Sequence, residues 1–114
     1  MSGITTHVLD LSLGRPAEHM PVQLEVHRAD QGWVMLAERK TDPQGRVPDL
    51  LAEGAPLEAG HYRLTFQTFE YFRARGDTAF FPEVEIVFEI RDPSQHYHVP
   101  LLLSPFGYST YRGS

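Results

Sequence analysis

Apolar and polar residues alternate along most of this chain. Over residues 21–28, Val22, Leu24 and Val26 alternate with Gln23, Glu25 and His27. That is the period of two expected of a strand with one buried face. Tyr62, Leu64 and Phe66 fall in phase within a run over 60–68, and the run over 84–90 alternates again. Residues 4–11, closed by Gly14 and Pro16, read as a strand, as do 96–103, with 108–112 as the last. Ala29-Asp30-Gln31-Gly32 is a turn into a strand over 33–40, which makes a hairpin. Residues 41–45 form a loop, because Pro43 fixes φ and Gly45 supplies positive φ. One segment breaks the rhythm: Phe69 and Phe72 stand at helical spacing, which predicts a short helix over 69–75 with Gly76 near its C-terminal end. Seven or eight strands separated by turn signals predict an all-β fold, a two-sheet β-sandwich with one short helix. There is no internal repeat or linker, and the length predicts a single domain over 1–114.

Composition narrows the classes of function. The net charge is −5 and the ten basic residues form no stripe or tail. That argues against a nucleic-acid partner and against an anionic membrane surface. The chain has no cysteine, so it has no disulfide, no thiolate nucleophile and no Cys-type zinc site. The start, Met-Ser-Gly-Ile-Thr-Thr-His, lacks the basic and apolar regions of a secretory signal. No run approaches the ~20 apolar residues of a membrane helix. A cytoplasmic protein is the expectation.

The candidate chemistry rests on histidine and arginine. His96 and His98 lie two apart on an expected strand, so their side chains share a face. Such a pair can ligate zinc, can be a catalytic base beside an interface residue, or can simply be solvated. A zinc site would need His7 or a distant carboxylate as third ligand, and nothing local supplies one. His7 shares its strand face with Thr5 and Leu9, where an imidazole is more often structural than catalytic. Arg46 follows Gly45 in a loop, where a solvated charge is the ordinary reading. Asp42, Asp49 and Glu53 form no evident carboxylate pair, and there is no Gly-x-Ser-x-Gly elbow, phosphate loop or His-Glu-x-x-His helix.

Taken together, the motifs resemble a family. Thr6-His7-Val8-Leu9-Asp10, followed by Gly14-Arg15-Pro16-Ala17, is similar to the opening of transthyretin-related proteins. Thr41-Asp42-Pro43-Gln44-Gly45-Arg46 resembles their Thr-x-x-x-Gly-Arg loop, and Phe80-Phe81-Pro82-Glu83 and the segment 96–105 continue the likeness. The closing Tyr111-Arg112-Gly113-Ser114 resembles the tetrapeptide of the enzymatic branch, the 5-hydroxyisourate hydrolases. The resemblance implies a transthyretin-like sandwich that hydrolyses 5-hydroxyisourate in urate degradation without a cofactor or metal. It implies a site made of His7, Arg46, His98 and Ser114, with Tyr111 contacting substrate. His7 or His98 would activate water, Arg46 would hold the substrate's polar edge, and Ser114 would offer its hydroxyl and α-carboxylate. His96 is expected chiefly as a subunit contact. The implied assembly is a homotetramer, a dimer of dimers. The alternative is a transthyretin-like module that binds and transports a small hydrophobic molecule.

Overall fold

A computed structural model describes residues 3–52 and 54–114. Met1 and Ser2 of the expected leader-free start, and Glu53 of the three carboxylates considered above, lie outside the described residues. The elements in chain order are β1 (Ile4–Asp10), β2 (Arg15–Pro16), β3 (Pro21–Arg28), β4 (Gly32–Lys40), β5 (Arg46–Val47), β6 (Gly60–Phe66), α1 (Thr68–Ala74), β7 (Val84–Ile90), β8 (Tyr97–Ser104) and β9 (Gly107–Thr110). Among the described residues no helix is long and apolar enough to cross a membrane.

Two sheets face each other. One runs β4-β3-β6-β7 and is antiparallel throughout. The other runs β2-β1-β8-β9, with β5 also pairing β1. Within it β1 and β8 are parallel, with Ile4 opposite Tyr97, Thr5 opposite His98 and His7 opposite Pro100. The two-residue strands β2 and β5 share the other edge of β1. The seven longer strands match the expected count, while β2 and β5 are too short for any periodicity to reveal.

Alternation becomes a core in the expected phase. Val22, Leu24 and Val26 of β3, Leu64 and Phe66 of β6, and Val84 and Ile90 of β7 are buried from one sheet. Ile4 and Val8 of β1 and Val99, Leu101 and Leu103 of β8 meet them from the other. Removing this apolar surface from water is the main term favouring the fold. The outward face of the second sheet carries Thr5, His7 and Leu9 of β1 and His98 and Leu102 of β8, all half-buried. The sandwich therefore presents β1 and β8 side by side with their polar residues aligned.

The helix lies where Phe69 and Phe72 predicted it, shifted by one residue. Gly76 follows at φ 79°, and the Asp77 N–H donates to the Phe72 carbonyl. This is the left-handed stop that lets a chain leave a helix with its last carbonyls satisfied. At one end of the sandwich Asp10 is fully buried. Its Oδ2 accepts from the Tyr71 hydroxyl at 2.6 Å and from Arg75 Nη1 at 2.6 Å, and its Oδ1 accepts from the Ser12 backbone N–H at 2.9 Å. These bonds tie α1 to the end of β1.

Gly45 fixes the loop that carries Arg46. Its φ is 76°, and a Cβ there would stand 2.4 Å from the Val8 carbonyl oxygen. That carbonyl accepts from Ala17 N–H, and Val8 N–H donates to the Gly45 carbonyl at 2.7 Å. Gly45→Ala should therefore lose more than the ~1–2 kcal/mol of a left-handed L-residue, because the clash is with backbone. The check is the midpoint of chemical denaturation, which should fall with an unchanged slope.

Candidate active site

Hydrogen bonds shape the loop before Arg46 around one carboxylate. Asp42 Oδ1 accepts from the backbone N–H of Gln44 and of Arg46, each at 2.9 Å. The Asp42 N–H donates to the Arg46 carbonyl at 2.9 Å, and the Gly45 N–H to the Asp42 carbonyl at 2.8 Å. An Asp side chain folding back on its own turn is the Asx device of tight loops. The turn presents Arg46 on β5 directly opposite His7 on β1. Among the described residues the Arg46 guanidinium has no hydrogen-bond or ion-pair partner. Its five N–H donors are free to face a planar polar ligand.

His7 Nε2 stands 2.8 Å from the Gln44 carbonyl oxygen. A carbonyl only accepts, so Nε2 carries the proton and cannot take another. His98, half-buried on β8, has Nδ1 at 2.8 Å from the Thr5 hydroxyl. His96, exposed just before β8, has Nε2 at 2.9 Å from the same hydroxyl oxygen. The expectation that His96 and His98 share a face thus holds, and Thr5 is the residue they meet on. Its residue type gives no hint of this. Its position does, two residues before His7 and therefore on the same strand face.

The chain end closes over His98. Gly113 N–H donates to the His98 carbonyl at 2.8 Å, and a Cβ on Gly113 would lie 2.6 Å from His98 Cδ2. Only glycine lets the backbone lie so close to the ring. Ser114 then lines an open pocket of about 400 Å³ with Thr5, Arg46, His96 and His98.

Four of the five expected site residues thus gather on one surface: His7 and Arg46 as neighbours on paired strands, His98 and Ser114 on the pocket beside them. Tyr111 does not join them within the chain. It is 58% exposed and borders a different groove, with Thr110, Arg112 and the residues of β7. The strand ends at Thr110, whose hydroxyl bonds the Pro100 carbonyl, and Arg112 reaches Gln95. These contacts hold the segment so that Gly113 and Ser114, rather than Tyr111, meet His98. His96, expected as a subunit contact, lies on the pocket. Among the described residues no three His, Cys, Asp or Glu side chains converge in a metal-binding group.

The electrostatics select a protonation state. Burial holds the His98 pKa below its ordinary 6.5, and the positive charge of Arg46 and the neighbouring imidazoles of His7 and His96 push it in the same direction. At neutral pH His98 is therefore a neutral imidazole beside a fixed cation. Such a pair can accept a proton at one point and stabilise negative charge at another.

The comparisons place this geometry among known proteins. The chain is 45% identical over 114 residues to the 5-hydroxyisourate hydrolase of Mus musculus, covering 99% of this chain and 96% of that protein. The solved 5-hydroxyisourate hydrolase of Klebsiella pneumoniae superposes with a TM-score of 0.84 at 40% identity, covering 97% of this chain and 92% of that one. Sea bream transthyretin, solved in complex with thyroxine, superposes with a TM-score of 0.89 at 33% identity, covering 98% and 95%. The backbone is thus shared by a 5-hydroxyisourate hydrolase and a thyroxine-bound transthyretin alike, and the side chains on the pocket must separate them. With the family's sequence profile matching residues 4–113, the chain belongs to the HIUase/transthyretin family.

Proposed function

We propose that this protein is a cytoplasmic, cofactor-free hydrolase that opens the six-membered ring of 5-hydroxyisourate to give 2-oxo-4-hydroxy-4-carboxy-5-ureidoimidazoline in urate degradation. The observation that carries the reading is the pairing, on one pocket, of a neutral half-buried imidazole, His98, with the exposed guanidinium of Arg46.

Hydrolysis of a cyclic amide needs a water made nucleophilic, a charge acceptor for the carbonyl oxygen, and a proton for the leaving nitrogen. His98 takes a proton from water as the oxygen bonds the ring carbonyl carbon. Arg46 donates hydrogen bonds to the oxyanion and to the ring's polar edge. When the carbon–nitrogen bond breaks, the His98 imidazolium returns the proton to the departing nitrogen. His7, already donating through Nε2 to Gln44, is not the base through that atom; it holds the Arg46 loop and faces substrate with its other edge. The Ser114 hydroxyl orients the water or substrate from the opposite side of His98.

A carrier of hydrophobic molecules on the same backbone has no use for this set. Convergent imidazoles and a guanidinium are costly to desolvate under an apolar ligand.

The active form is proposed to be a homotetramer, a dimer of dimers. β7 and β9 are terminal strands of their sheets and border one groove, which also carries the exposed Tyr111. Unpaired edges of this kind invite pairing with a second copy, and assembly gives Tyr111 a neighbour that the single chain lacks.

The test is direct. Purified protein should accelerate the ultraviolet-monitored decay of freshly generated 5-hydroxyisourate, and decay at the spontaneous rate would overturn the proposal.

A further inference from the structure

Thr5 is a single hydroxyl shared by two imidazoles, and it has one proton for the two. Oγ1 has one proton to give and lone pairs to receive two. It stands 2.8 Å from His98 Nδ1 and 2.9 Å from His96 Nε2. It cannot donate to both. If it donated to His98 Nδ1, the neutral His98 ring would carry its proton on Nε2, and that nitrogen could accept nothing. If it accepts from His98 Nδ1–H, Nε2 is bare. The hydroxyl proton then has an acceptor already in place, the lone pair of His96 Nε2. Both short bonds are satisfied by this arrangement; the reverse one, with His96 Nε2–H donating to Thr5 and Thr5 donating to His98 Nδ1, also satisfies them but leaves His98 no basic nitrogen.

The backbone holds the arrangement in register. Thr5 and His98 are directly paired across the parallel β1–β8 ladder, which keeps the two side chains next to each other on one face of the sheet. On the other side Gly113 lies against His98 Cδ2, which limits rotation of the ring away from Thr5.

We propose that Thr5 is a positioning residue that holds His98 in the Nδ1–H tautomer, with His96 as the acceptor that turns the Thr5 hydroxyl. His98 Nε2 is then the basic atom presented to the pocket. The step is a proton transfer: Nε2 gains a proton from water while Nδ1–H stays bonded to Thr5. An imidazole held by an outer acceptor keeps one ring orientation and one tautomer, as metal-bound and catalytic histidines do. This inference rests on the proposed use of His98 as base, but its first test does not.

Side-chain nitrogen-15 NMR of the wild-type protein near neutral pH reads the His98 tautomer without any substrate. The Nδ1–H form is expected, and a predominant Nε2–H form would overturn the proposal. Kinetics then compare Thr5→Val, which keeps shape and β-branching, with Thr5→Ser, which keeps the hydroxyl. Thr5→Val should lose about 10- to 100-fold in kcat, the range seen when a metal-ligating histidine loses its outer partner, with KM little changed. It should also move His98 toward the Nε2–H form, while Thr5→Ser restores both rate and tautomer. Equal rates and tautomers in wild type and Thr5→Val would remove Thr5 from this role. Wild-type protein that shows the Nδ1–H tautomer but no hydrolase activity would leave the positioning intact and remove the proposed reaction instead.

Discussion

His98→Asn should slow turnover of 5-hydroxyisourate by about 100- to 10,000-fold, the range for losing a general base, while the protein stays folded. Asparagine keeps a polar group on β8 but has no titrating nitrogen. The pH dependence makes the attribution specific. Burial, and then Arg46, His7 and His96, hold the His98 pKa below 6.5. The active neutral form therefore predominates at neutral pH, and the wild-type rate should fall only as pH drops through that lowered value. The variant's residual rate should lack this limb. Stability should move the opposite way in acid. A histidine whose folded pKa is depressed contributes stability fully above its unfolded value and loses it as pH falls toward the folded one. His98→Asn removes that loss, so the variant should resist mild acid better than wild type. Unchanged kcat would take His98 out of the chemistry altogether.

Arg75→Ala should have the largest effect on stability, because it strands Asp10. The Asp10 side chain has no exposure to solvent, and Arg75 Nη1 is 2.6 Å from its Oδ2. Removing one partner of a buried ion pair typically destabilises by about 3–5 kcal/mol, against a total of roughly 5–15 kcal/mol for a domain. The reverse truncation is milder, since the Arg75 side chain keeps a quarter of its surface in water. Burial alone would raise the Asp10 pKa. The Ser12 and Tyr71 hydroxyls and the Arg75 charge outweigh burial and hold the carboxyl below its ordinary 3.8. Its stabilising contribution is therefore present above 3.8 and lost as pH falls through the lower folded value. Without Arg75 the carboxylate is strained most where it is ionised. The gap between wild type and variant, measured by urea denaturation, should be widest near neutrality and should close below about pH 4 as Asp10 protonates. A constant gap across that range would mean that Arg75 acts through packing over Tyr71 and Phe72 rather than through charge. The Tyr71 hydroxyl, raised to about 12 by burial first and then by its bond to Asp10, stays a donor throughout.

Period-two alternation carried most of this fold in the sequence. Val22, Leu24 and Val26, or Tyr62, Leu64 and Phe66, can bury together only in extended chain, so β3 and β6 were legible with their faces. Which strand lies beside which was not legible, because alternation records a residue's face and is silent on its neighbour. The parallel pairing of β1 with β8 is the clearest case. β2 and β5 escaped for another reason. They are held by loop hydrogen bonds around Gly45 and Ala17, which leave no periodic trace. Asp10 did leave one: it stands in phase with Ile4, Thr6 and Val8 on the inward face, where a charge demands a partner, yet nothing in the sequence points to Arg75 as that partner. At the site, residue type singled out the histidines, and the family resemblance singled out Arg46 and the chain end. Thr5 carried no such mark.

The β1–β8 pairing also sets when this protein can become itself. Its polar surface joins Thr5 and His7 of β1 to Arg46, to Ser114 and to His98 of β8, 93 positions beyond Thr5. No fragment that lacks β1 or β8 holds the pocket, and a nascent chain does not possess it until β8 and Ser114 have emerged. Pairings so distant in sequence close large loops, and folds dominated by them reach the native state on the slower millisecond-to-second scale. During that interval the β8 edge of β1 stays open, with only β2 and β5 paired on its other side. Slowed release of the last strands would leave a protein with one complete sheet and no pocket.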